Sequence, residues 1–226
     1  MTTDTLPAMT TPTVTAFDWV PDFAKGLVRD LRVRWAMEEV GQPYDVELFG
    51  PANPRPEGYV TRQPFEQVPA FDDGEVQLFE TGAILLYLAE QHPQLLPSGK
   101  REKWAATCWL FAALNSVEPS ISRLMSYDLF NADQDWTKQA RPSAEAMVRQ
   151  KLKRVAHALA GNEWLAGSFS IADILMVTVL ENLRTTDLVA EQPVLVDYAA
   201  RAKARPAYKR ALAAQLDDFT GTPPAR

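Results

Sequence analysis

Two hydropathy periods divide this chain, and that division constrains its fold more than any other feature. Up to residue 92 strand-type and helix-type patterns alternate, while beyond residue 102 only the helical period remains. Val14 to Trp19 collects β-branched and aromatic residues and predicts a strand, after which Val20-Pro21-Asp22 opens a loop. Leu27, Leu31 and Trp35 recur at helical spacing, with Val33, Met37 and Val40 beside them. They predict a helix over 27–40 that Gly41 caps and Pro43 stops. Tyr44, Val46 and Leu48 alternate with Asp45 and Glu47 as a second strand, and a proline-rich loop fills 50–64. Val68-Pro69-Ala70-Phe71 and Val76-Gln77-Leu78-Phe79 flank Asp72-Asp73-Gly74, the pattern of a β-hairpin. A helix over 81–91 follows and Pro93 closes it.

Residues 92–101 carry two prolines and a glycine and read as an interdomain linker. Lys103 to Phe130 forms one long helical segment with Trp104, Cys108, Phe111 and Leu114 on one face, and Pro119 must kink or interrupt it. A helix over 142–160 is striped by Val148, Leu152, Val155 and Leu159. Residues 170–183 are apolar on most sides and predict the central buried helix. Shorter helices over 195–204 and 207–216 finish the pattern. Domains are expected at 13–92 and 102–218, with Met1 to Pro12 as a disordered lead-in and 221–226 as a tail.

Composition removes several function classes. A net charge of −6 without a local basic cluster argues against a nucleic-acid partner. Cys108 is the only cysteine, so no internal disulfide forms and a reducing compartment is the simplest context. With His92 and His157 as the only histidines, no zinc-type ligand set assembles, and no metal is expected. Cys108, four positions after Trp104, is expected in buried packing, His157 on an exposed face and His92 at a helix end. The first twelve residues lack the apolar stretch of a secretory signal, and Ile171 to Leu180 is too short to span a bilayer. A cytoplasmic protein with no membrane partner is the expectation.

Three stretches carry a family resemblance. The run QVPAFDDGEVQLFETGAILLYLAEQHP resembles the glutathione site of the cytosolic glutathione transferase family. Upstream, LRVRWAMEEVGQPYDVELF resembles that family's first helix and second strand, and downstream WLAGSFSIADIL resembles the start of its central helix. The resemblance implies an α/β thioredoxin-like domain followed by an all-α helical-bundle domain. It also implies a homodimer, with glutathione as co-substrate, that detoxifies small hydrophobic molecules.

The same resemblance assigns site residues. It implies that Val68-Pro69 is cis, turning the valine N–H and C=O outward to pair with the cysteinyl unit of glutathione. Taken alone the dipeptide reads as a trans proline at a strand start, because only about 5–6% of X–Pro bonds are cis. Glu80-Thr81 opens a helix, where free N–H groups and the helix dipole favour the γ-glutamyl carboxylate. Thr81 adds its hydroxyl, Glu80 receives the ligand's ammonium, and Gln67 adds polar contacts; without a ligand, Glu80-Thr81 reads as an ordinary helix cap. Ser170-x-x-Asp173 is a capping box with a folding role.

One part of the family pattern is missing. A thiol of pKa about 8.5 must become a thiolate, and lowering that value by two units takes roughly 2.7 kcal/mol. The family's Tyr, Ser or Cys aligns near Leu27 to Arg29, where no hydroxyl or thiol stands. Lys25, Arg29, the Trp19 indole and the amides around Gly26 remain, so Arg29, Lys25 and Trp19 are the candidate catalytic groups. A solvated helix start for the two cations, and packing for Trp19, are the alternatives. Asn115, Ser116 and Tyr127 are further candidates for the acceptor side, on a face that reads equally as core or dimer surface. Conjugation of glutathione to a hydrophobic electrophile is the expected function. Open beside it stand another glutathione enzyme (isomerase, peroxidase or dehalogenase), a non-catalytic glutathione- or protein-binding module, and a scaffold that no longer binds glutathione.

Overall fold

The computed structural model describes residues 11–50 and 55–223. Residues 1–10 of the expected lead-in, 51–54 of the proline-rich loop and 224–226 of the tail lie outside the described residues. The first half builds a four-stranded mixed sheet in the order β2-β1-β3-β4, from β1 (Thr13–Phe17), β2 (Asp45–Phe49), β3 (Ala70–Asp72) and β4 (Gln77–Phe79). β1 lies parallel to β2, with Val14 opposite Val46, and antiparallel to β3, with Val14 opposite Phe71. Because β1 is central, Val14, Thr15 and Ala16 are all buried. Helix α1 (Asp30–Val40) joins the parallel pair, as a crossover must. The hairpin β3-β4 leads into α3 (Thr81–Gln91), the bounds the hydropathy pattern predicts.

Several elements differ from expectation for physical reasons. α1 begins at Asp30, because Gly26 adopts a left-handed φ of 76° and residues 27–32 enter the helix through tight turns such as Arg32 N–H to Arg29 O at 3.1 Å. In β2 it is Phe49 that is buried while Leu48 faces out, since Phe49 packs against Tyr59. Tyr59 sits on α2 (Tyr59–Arg62), a short helix inside the stretch expected to be loop throughout. Gly41 does cap α1, at a left-handed φ of 67°.

The second half is helical. α4 (Lys100–Ala112) passes through a π-helical turn at Ala113–Val117 into α5 (Glu118–Leu129). Pro119 has no N–H to offer the preceding turn, and the wider turn absorbs the misfit. Three of the four residues expected to pack on this segment point outward, Trp104 at 60% and Phe111 at 48% exposure and Cys108 exposed rather than buried, while Leu114 packs against the core as expected. Ala106, Leu110 and Ala113 form the buried face instead, because small residues let α4 approach the helix behind it.

α6 (Asp135–Leu159) starts seven residues before Pro142 and runs through it. Arg141 pairs with Asp128 on α5 at 2.7 Å, holding this turn in place. Its predicted stripe of Val148, Leu152, Val155 and Leu159 is buried. α7 (Ile171–Leu180) is buried at every position and opens with the capping box of Ser170 and Asp173. α8 (Pro193–Lys203) and α9 (Pro206–Asp217) complete the bundle. α9 returns to α1, where Gln215 Nε2 donates to Asp30 Oδ1 at 2.7 Å. His92 ends α3 and His157 is exposed in the last turn of α6. Thus a thioredoxin-like α/β layer is followed by an all-helical one. No helix among the described residues is long and apolar enough to cross a membrane.

Candidate functional site

A cleft of about 80 Å³ opens between the sheet edge and the helical half. Its wall contains Gln67, Val68, Glu80 and Thr81, the four residues predicted to bind glutathione, together with Pro69 and Arg29. The Val68-Pro69 bond is cis. A hydrogen-bonded chain supports the loop leading into it. Tyr59 donates its only proton to Gln67 O at 2.7 Å, so Thr15 Oγ1, 2.8 Å away, donates to Tyr59. Thr15 Oγ1 in turn accepts Ala70 N–H at 2.7 Å. Burial raises the Tyr59 phenol above its ordinary pKa, so it stays a donor at neutral pH.

Glu80 sits at the N-cap of α3 with φ 70°, a left-handed conformation that costs a non-glycine residue about 1–3 kcal/mol. Its carbonyl accepts the first helical bond, from Ile84 N–H at 3.0 Å, while its side chain is exposed and makes no cap bond. Thr81 is buried beside it. Gly82 at the next position lets Leu114 come close, since a Cβ there would lie 2.7 Å from Leu114 Cδ1 and that side chain would have to shift. Leu114 thereby reaches the cleft wall from the helical half.

The sequence also hides part of this site. Arg32 is buried and belongs to the cleft wall with Gln63. Its guanidinium donates to Glu118 Oε1 at 2.9 Å, Thr178 Oγ1 at 3.1 Å and Thr81 Oγ1 at 3.3 Å. Arg29 meets the same Glu118 Oε1 at 3.2 Å and Gln67 Oε1 at 3.4 Å, yet 45% of its side chain stays exposed. Burial pushes the Glu118 carboxyl up, but Arg32 and then Arg29 outweigh it and hold that carboxyl below its ordinary value. Burial lowers the pKa of Arg32 against the opposing pull of Glu118. No periodicity pairs residues 32 and 118, which lie 86 apart in sequence, so only the fold reveals them.

Two predicted catalytic groups stand elsewhere. Lys25 and Trp19 are absent from the cleft wall, and Lys25 Nζ pairs with Asp22 at 2.7 Å. Among the described residues, Thr81 supplies the only hydroxyl of that wall, and no thiol lines it. Asn115, Ser116 and Tyr127 line a separate groove of about 460 Å³ between α5 and α6. Among the described residues, no three His, Cys, Asp or Glu side chains gather as a metal-binding set.

Residues 13–90 match the family of glutathione S-transferase N-terminal domains, and residues 117–206 match the C-terminal domains of the same enzymes. Glutathione S-transferase 4 of Zea mays is 30% identical over 197 residues, covering 80% of this chain and 82% of the relative. Glutathione S-transferase F14 of Arabidopsis thaliana is 30% identical over 163 residues, which is 66% of this chain and 63% of that relative's length. Among solved structures, a glutathione transferase from Burkholderia graminis, crystallised with two glutathione molecules per subunit, is 27% identical with a TM-score of 0.79. That match covers 91% of this chain and 90% of the other. With both halves matched in order on one architecture, the chain belongs to the cytosolic glutathione transferase family.

Proposed function

We propose that this protein binds glutathione along Val68 and conjugates it to a hydrophobic electrophile. One observation carries this: the cis Val68-Pro69 edge, the N-terminus of α3 with Thr81, and a half-exposed Arg29 converge on one cleft. The valine N–H and C=O pair with the cysteinyl unit, Thr81 and the free N–H groups of α3 take the γ-glutamyl carboxylate, and Glu80 takes the ammonium. Gln67 adds polar contacts. The B. graminis relative, which holds glutathione, supports the assignment.

Arg29 then stabilises the thiolate. A charge-assisted hydrogen bond contributes about 1.5–3 kcal/mol, against the roughly 2.7 kcal/mol that a two-unit drop in thiol pKa requires. Lys25, tied to Asp22, takes a smaller part through its charge, while Trp19 lies outside the cleft wall. The thiolate attacks an acceptor positioned between the two halves, which we assign to domains at 13–92 and 102–218. Asn115, Ser116 and Tyr127, which line their own groove between α5 and α6, are left out of this assignment. Cytoplasmic detoxification is the setting that fits this chemistry. We also assign a homodimer, supported by the outward-facing Trp104 and Phe111 on α4 and by Phe65 and Phe79 beside the cleft-bearing sheet.

A second reading, a module that binds glutathione without activating it, is favoured because among the described residues the cleft wall offers no hydroxyl but Thr81's. Calorimetric titration with glutathione near neutral pH, in two buffers of different ionisation enthalpy, separates them. Buffer-dependent heat with release of a proton supports the transferase; binding without proton release makes the module the better account. Absence of binding removes both. Product analysis distinguishes conjugation from isomerase, peroxidase or dehalogenase chemistry, because an isomerase returns glutathione unchanged.

A further inference from the structure

Arg32 has no part in the chemistry assigned so far, yet it is the most fully bonded charged group near the cleft. It is 2% exposed and stands behind the first turn of α3. A guanidinium has donors and no acceptor, so wherever it touches a hydroxyl the oxygen must accept. Thr178 meets that demand by spending its own proton on Ile174 O at 2.9 Å or Leu175 O at 3.0 Å. Thr81 differs: its oxygen accepts from Arg32 at 3.3 Å, but among the described residues nothing takes its proton. That proton belongs to a buried hydroxyl in the wall of the cleft.

The local charge points the same way. Arg32 and Arg29 share one buried carboxylate, Glu118, leaving a cationic surplus behind Thr81. The next carboxylate in the cleft wall, Glu80, is exposed at its rim. We propose that Arg32 is a positioning residue for glutathione: it holds Thr81 Oγ1 as an acceptor from behind, so that the hydroxyl proton is donated into the cleft to the γ-glutamyl carboxylate. Thr178 fixes Arg32 at Nε, and Glu118 fixes its other end. The selectivity so produced is for the carboxylate of the γ-glutamyl unit, separate from recognition of the cysteinyl unit at Val68. This inference rests on the glutathione-binding reading above.

The test compares glutathione with 4-aminobutanoyl-cysteinylglycine, which lacks only that carboxylate. Affinities for both are measured by calorimetry on the full chain and on Thr178→Val, Arg32→Lys and Thr81→Val. Thr178 lies outside the cleft wall, so Thr178→Val decides the matter should Arg32→Lys not fold. The native protein is expected to prefer glutathione by about tenfold or more, the effect of one charge-assisted hydrogen bond. Thr178→Val and Arg32→Lys should cut that preference at least about threefold while affinity for the analogue changes less than about twofold. Adding Thr178→Val to Thr81→Val should cost no further preference. Equal weakening of both ligands in Thr178→Val means a purely structural role and overturns the proposal, as does an unchanged preference. If the native protein binds neither peptide, the glutathione reading itself fails; if it binds glutathione and Thr178→Val keeps the native preference, only the role of Arg32 fails.

Discussion

Arg29 and Lys25 are four residues apart and carry the same charge, but their surroundings divide them. Lys25 lies against Asp22 at 2.7 Å, while Arg29 leans on Glu118 and Gln67 at the cleft with 45% of its side chain exposed. Glu118 neutralises two arginines at once, so neither is fully compensated. Arg29→Ala is therefore expected to raise the pKa of bound glutathione by about one unit, or roughly 1.4 kcal/mol. Lys25→Ala should raise it by well under half as much. Thiolate ultraviolet absorbance against pH measures both, and equal shifts would return Lys25 to the site.

Among the elements, α7 shows how a short segment is made reliable. Its ten residues are all buried, so its orphan N–H groups have no water to turn to. Ser170 supplies partners, its Oγ accepting Ala172 N–H at 3.3 Å and its carbonyl Asp173 N–H at 3.0 Å. The Asp173 carboxylate ties the helix start to its surroundings by accepting Ser170 N–H at 2.9 Å, Leu165 N–H at 3.1 Å and the Tyr198 hydroxyl at 2.8 Å. Ser170→Ala should cost about 0.5–2 kcal/mol in urea denaturation and leave glutathione affinity unaltered. A loss of affinity in the folded variant would mean that α7 also shapes the cleft. α4 and α5 show the opposite case, since Pro119 forces a π turn at 113–117 and so aims Leu114 and Glu118 at the first half of the molecule.

Two predictions belong to the whole molecule. Arg32–Glu118 and Arg29–Glu118 join α1 to α5, and Glu118 holds its carboxyl below the ordinary value of 4.5. A depressed carboxylate contributes stability above its unfolded pKa and loses it as pH falls through the lower folded pKa. The melting temperature should therefore fall more steeply below pH 4.5 in the native protein than in Glu118→Gln. Parallel curves would show that the cluster adds nothing to stability. Assembly gives the second prediction. Trp104 and Phe111 expose a large apolar surface on α4, and Phe65, 65% exposed, does so near the cleft. Sedimentation is expected to show a dimer that Phe111→Asp dissociates or weakens at least tenfold, a loss of about 1.4 kcal/mol or more.

The architecture was legible in the residues themselves, and half of the cleft through the family resemblance. Strand and helix periods, the Asp-Gly turn, the cap at Gly41 and the Ser170 box act over a few positions, so sequence order alone places them. Val68-Pro69 and Glu80-Thr81, on either side of one hairpin, were singled out by the family resemblance, since taken alone they read as a trans proline and an ordinary helix cap. Contacts across long separations were not legible. Whether Trp104, Cys108 and Phe111 faced inward depended on which side of α4 met α7, and periodicity cannot rank two apolar faces. That Arg32 would be buried against Glu118, Thr81 and Thr178 was decided only when α1, α3, α5 and α7 packed together. A charge inside a helix reads as a solvated face until tertiary packing removes the water and supplies the partners that make its burial affordable.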